Sequence, residues 1–101
     1  MIERINKNEE RFDRILKSVK ELEEALNNFG KIGKDLSLLK KYYGSKNWFK
    51  DKEAYESNKI PKVKAGVLSE DGVWNMLESI DELINDMKRI INDYEKNRWN
   101  I

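Results

Sequence analysis

Between Phe12 and Phe29 an apolar side chain recurs every third or fourth residue: Phe12, Ile15, Val19, Leu22, Leu26 and Phe29. At 3.6 residues per turn this spacing draws a single line along a helix, and a strand could not use it. Ile5 extends the line backward, Leu36 and Tyr43 extend it forward, and Ile32 and Leu39 widen it. Gly33 holds an expected apolar position that is empty. The pattern predicts a long amphipathic helix from about Glu3 to Tyr43, with a seam of coiled-coil type. Glu3 and Lys7, Glu10 and Arg14, and Asp13 and Lys17 are four apart and suit ion pairing on its solvent side. Gly30 and Gly33 weaken the middle, since each costs about 1 kcal/mol against alanine inside a helix. The seam keeps its phase across them, so the expectation is one helix, kinked or soft at that point, with two helices as the alternative.

A second stripe runs through Val73, Leu77, Ile80, Ile84, Met87, Ile91 and Tyr94, flanked by Trp74, Leu83 and Ile90. Ser69 precedes it as an N-cap, and Glu70 and Asp71 complement the positive end of a helix dipole. The segment between the stripes is different in kind. It holds Trp48, Phe49, Tyr55 and the only proline, Pro61, and it follows the pair Tyr42-Tyr43. Gly44 ends the first helical segment and Ser45 caps a short helix over roughly Lys46 to Glu56. Ser57-Asn58 ends that helix, Pro61 pushes Ile60 toward extended geometry, and Gly66 permits a turn.

These pieces predict an all-α fold in a single domain over residues 1–101. It is a long antiparallel helical hairpin (1–44 and 69–101), with a short aromatic-rich helix and a Pro-containing turn (45–68) closing one end. Charge agrees with this pairing. Residues 1–44 carry ten basic and eight acidic side chains, and residues 69–101 carry four and eight. The hairpin leaves part of its stripes uncovered, so the central helix packs across one end or two hairpins join as a bundle.

The run YYGSKNWFKDKEAYESNKIPKVKAGVLSEDGVWNML, from Tyr42 to Leu77, resembles a family of small bacterial helical proteins, domain-of-unknown-function family 4298. The matching positions are Tyr42-Tyr43, Ser45, Trp48, Asp51, Pro61 and the block Gly66-Val67-Leu68-Ser69-Glu70-Asp71. The chain departs from the family pattern at Lys52 and Tyr55, where acidic residues are usual, and in its glycine-containing first helix. The resemblance implies a long helix before this block and another after it. It implies no activity.

Composition narrows the function further. The chain has no Cys and no His, which removes thiolate metal sites, disulfides, Cys nucleophiles and the commonest general base. No apolar run reaches the roughly 18 residues of a membrane span, and the N-terminus lacks the apolar core of a secretory signal. The expectation is a cytoplasmic protein with no membrane partner, no cofactor, no metal and no catalytic activity. The carboxylates Asp51, Glu53, Glu56, Glu70 and Asp71 were weighed as a cation or acid–base site, but Glu70 and Asp71 read more simply as first-turn charges. Six lysines and three acids in residues 45–68, mixed with rings, suit single-stranded nucleic acid as the minor alternative. The favoured function is protein interaction, by homodimer formation, by binding a protein partner, or both. The candidate interaction surface is Tyr42, Trp48, Lys50, Lys52, Tyr55 and Trp99.

Overall fold

A computed structural model describes residues 1–99. The fold is all-α, with no strand among the described residues. In chain order come helix α1 (Ile2–Gly30), α2 (Gly33–Tyr42), α3 (Lys46–Glu56), a single 3₁₀ turn (Gly66–Leu68) and α4 (Glu70–Glu95). Two long helices thus flank a short aromatic helix and a Pro61-containing connection. The chain divides into two units, Met1–Lys40 and a second beginning at Lys41.

In the first unit, the expected single helix from Glu3 to Tyr43 is replaced by two. α1 stops at Gly30, Lys31 and Ile32 form a turn, and α2 restarts at Gly33. The break is tight. The N–H of Lys31 donates to the Asn28 carbonyl and that of Ile32 to the Phe29 carbonyl, both at 3.2 Å. Regular spacing resumes when Leu36 N–H donates to Ile32 O at 2.8 Å. Lys31 stays in the right-handed region (φ −84°, ψ −10°). A Cβ added to Gly30 or Gly33 would meet nothing within 4 Å. Neither shape nor backbone angle therefore demands glycine here. The interruption follows from low helix propensity at two positions three apart, where no buried side chain compensates. On the exposed side, the ion pair that closes is Lys17–Glu21 at 3.9 Å, instead of the three expected from spacing.

The second unit owes its layout to caps and turns. Gly44 sits at φ +78°, a conformation open to glycine at little cost. Ser45 then accepts the Trp48 N–H on its Oγ at 3.2 Å and starts α3. α3 ends in a Schellman motif around Asn58, which is left-handed at φ 57°. Lys59 N–H donates to Ala54 O at 2.9 Å and Asn58 N–H to Tyr55 O at 3.2 Å. Asn97 closes α4 in the same way, at φ 56°. There Arg98 N–H reaches Asp93 O at 2.8 Å and Asn97 N–H reaches Tyr94 O at 3.1 Å. Ser69 caps α4 by accepting the Gly72 N–H at 3.2 Å.

The core of this unit is small: Trp48 and Val73 are buried. Along α4, Leu77, Ile80, Ile84 and Met87 are half-buried, as their stripe predicts. Trp74, Leu83, Ile90, Ile91 and Tyr94 are exposed.

Candidate interaction surface

The six residues singled out from sequence resolve into a structural knot and two outliers. Trp48 is its centre, at 3% exposure. Its indole N–H donates to the Val67 carbonyl at 2.8 Å, tying α3 to the 3₁₀ turn. Tyr43 meets its ring edge-on at 5.2 Å between centroids, and Phe49 does so at 4.9 Å. Tyr43 also donates its hydroxyl to the Glu70 carbonyl at 3.0 Å, which fixes the start of α4. One buried ring thus joins three elements, and edge-to-face pairs of this kind add to the stability from burial alone.

Lys52 lies on the rim of the same knot. Its Nζ is 3.0 Å from Glu70 Oε1, 3.7 Å from Glu56 Oε1 and 5.4 Å from the Trp48 ring centroid. The hydrogen bond to Glu70 holds its pKa above the ordinary lysine value. Tyr42 points from the end of α2 to α3, donating its hydroxyl to Asp51 Oδ2 at 2.6 Å. That hydrogen bond to a carboxylate pushes the Tyr42 pKa up to about 12. Tyr55 is engaged as well. Its hydroxyl donates to Val63 O at 3.3 Å, and Lys62 Nζ sits 4.0 Å from its ring centroid while donating to its carbonyl at 2.7 Å. Trp48 and Tyr55 therefore hold the segment after Pro61 against α3, Lys52 ties α3 to the start of α4, and Tyr42 ties the end of α2 to α3.

The outliers are Lys50, exposed on α3, and Trp99. Trp99 lies beyond the other end of α4, where it stacks edge-on against Tyr94 at 5.3 Å. The structure does not join either of them to the knot.

The carboxylates do not converge on one point. Asp51 accepts from Tyr42, Glu70 pairs with Lys52, and no group of three or more His, Cys, Asp or Glu is arranged to hold a metal among the described residues. A cavity of about 200 Å³ lies beside Lys52, Tyr55, Glu56, Ala65, Leu68 and Ser69. This is below the roughly 300–1,000 Å³ of most small-molecule sites.

The surface with unmet potential lies elsewhere, on α1. Ile5, Phe12, Ile15, Leu16, Val19, Leu22 and Leu26 are each 48–62% exposed, and no residue of α1 is buried. The spacing of apolar residues predicts this stripe, whereas the candidate residues Tyr42, Trp48, Lys50, Lys52, Tyr55 and Trp99 lie outside it. The signal is arithmetic: the central rings have partners within reach of local turns, whereas a 29-residue stripe needs an equally long one.

These features define an all-helical protein with a ring-centred knot in the second unit and a long helix with an apolar stripe in the first. The chain belongs to the family described as Domain of unknown function (DUF4298), whose model matches residues 5–97. No curated protein and no solved structure matches it. No helix among the described residues is long and apolar enough to cross a membrane.

Proposed function

We propose that this protein is a non-catalytic, cytoplasmic protein-interaction module that works through the apolar stripe of α1. It self-associates, binds a protein partner, or does both, in the manner of a regulator, a neutralising partner or an inhibitor. The observation that carries this reading is the exposure of six large apolar side chains at coiled-coil spacing on one helix, with Leu16 exposed beside them. Completing the burial of such half-exposed side chains yields about 1 kcal/mol each, a drive that a helix with no buried residue has not yet used. The knot supports the same reading from the other side, because its rings and charges are already engaged within the unit.

The test is a pair of substitutions that spare the knot, Ile15→Glu and Leu22→Glu. Sedimentation and affinity capture should both show loss of association, with the near-ultraviolet signal of the aromatic knot preserved. A strictly monomeric wild type that captures the same proteins as the variant would overturn the reading.

The nucleic-acid alternative retains one supporting observation: Phe49 is 58% exposed beside the exposed Lys46 and Lys50. Against it, Trp48 is buried and Lys52 and Lys62 are engaged, which leaves Phe49 as the exposed ring of the lysine-rich segment on which a base could stack. Retention of short single strands at low salt, lost at high salt, is the outcome it requires.

A further inference from the structure

We propose that α1 forms a parallel, in-register homodimer with a second copy of this chain. The inference rests on the reading of the α1 stripe as an interaction surface and adds the occupant and its orientation. Three observations carry it.

The first is balance. α1 carries six basic and seven acidic side chains, so two nearly neutral copies approach with little net repulsion. The stripe is also self-complementary, running through Ile5, Phe12, Ile15, Val19, Leu22, Leu26 and Phe29 for about 36 Å of helix.

The second is the charge on the two flanks of the stripe. One flank bears Arg4, Arg11, Ser18 and Ala25, and the other bears Glu9, Leu16, Glu23 and Gly30. In a parallel coiled coil, a residue of the first flank faces the residue of the second flank about five positions later on the other copy. Arg4 then faces Glu9 of the second copy, twice by symmetry, and Arg11 lays its stem along Leu16. In a fully overlapped antiparallel pair, like flanks meet. Glu9 then faces Glu23 of the second copy, again twice, and like charges repel. Such flanking charges contribute little to stability but decide orientation.

The third is Asn8, the one polar residue in the stripe between Ile5 and Phe29. In the single chain it turns back on its own helix, donating to Arg4 O at 2.8 Å and accepting from Arg11 at 3.1 Å. In a parallel, in-register pair, Asn8 meets Asn8 of the second copy, and two amides satisfy one another. In the antiparallel pair it meets Leu26, which leaves an amide against an apolar side chain. A lone asparagine in an apolar seam fixes register in this way.

One charge reversal separates the orientations by sign. Glu9→Arg sets an arginine against Arg4 of the second copy in the parallel dimer, so sedimentation equilibrium of the full chain should show dimerisation weakened about tenfold. The double variant Arg4→Glu with Glu9→Arg should restore it. In the antiparallel dimer the same Glu9→Arg change relieves repulsion from Glu23 and strengthens association, an outcome that overturns the proposal. Because the chain has no cysteine, Asn8→Cys alone should form a disulfide-linked dimer on mild oxidation. Crosslinking of Asn8→Cys only to Leu26→Cys, in a mixture of the two variants, would also overturn it. Association that Ile15→Glu abolishes, together with strengthening by Glu9→Arg, rejects the orientation while keeping α1 as the interaction surface. A wild type that is monomeric at every concentration rejects the homodimer, and association indifferent to Ile15→Glu rejects the surface itself.

Discussion

The knot around Trp48 and the stripe of α1 are both built from apolar side chains, yet one is closed and the other open. In the knot, Trp48 and Val73 are buried, Trp48 packs against Tyr43 and Phe49, and each polar tip has an acceptor: Val67 O for the indole, Glu70 O for Tyr43. On α1, residues of equal hydrophobicity stay about half exposed. The difference lies in turns. Gly44, Asn58, Pro61 and Gly66 fold some thirty residues back on themselves, so rings distant in sequence meet. α1 has no turn along its length and can be completed only from outside itself.

The largest effect should come from removing the ring at the centre of the closed region. Trp48→Ala should cost about 3 kcal/mol in chemical denaturation, the range for large-to-small changes in a core. Ile15→Ala, in the open region, should change the stability of the monomer by less than about 0.5 kcal/mol. Equal losses at the two positions would erase the contrast. Next comes Asn58→Ala, which places a Cβ-bearing residue without a helpful amide in the left-handed region and should cost about 1 kcal/mol.

The opposite sign is expected at the break in the first unit. Gly30→Ala with Gly33→Ala should fuse α1 and α2 and raise helicity by circular dichroism, since neither position restricts a Cβ. Each change adds up to about 1 kcal/mol of helix stability. Unchanged helicity would mean that the turn at Lys31–Ile32 is imposed by something other than glycine.

The smallest effect concerns Tyr42. Its pKa is raised from 10.0 to about 12 in the folded chain, so the bond to Asp51 favours the neutral phenol. The stability from that bond is complete below pH 10 and is lost as pH rises through about 12. Tyrosinate absorbance should show one tyrosine titrating late, and Asp51→Asn should return it to the ordinary range. A wild type whose tyrosines all titrate together would remove the Tyr42–Asp51 bond from the account.

What could be read from the sequence was the local chemistry. Ser45 and Ser69 cap helices, Gly44 and Asn58 take left-handed angles, and the stripe of α4 points its Val73 line inward, because each depends on a few neighbouring residues. The link from Tyr42 to α3 was also within reach, since Asp51 lies nine residues on. The indole bond of Trp48 to Val67 and the pairing of Lys52 with Glu70 span 19 and 18 residues. Periodicity carries no information about such pairings. The first helix was misjudged because phase continuity was weighed above propensity. The stripe does keep its phase across Gly30 and Gly33, but phase stabilises a helix only where burial uses it. Trp48 is the candidate residue that the structure takes off the surface, for a related reason: an aromatic residue beside lysines looks like a binding surface until its ring is seen to be buried.

The burial of Trp48 has an optical consequence. Of the three indoles, it alone is shielded, while Trp74 and Trp99 are 57% and 59% exposed. Its fluorescence should be blue-shifted and should resist collisional quenching by iodide, whereas the other two emit from an aqueous environment and quench readily. Replacing Trp74 and Trp99 with phenylalanine leaves a chain that carries its own single-site emission probe at the point where α3, the 3₁₀ turn and α4 converge.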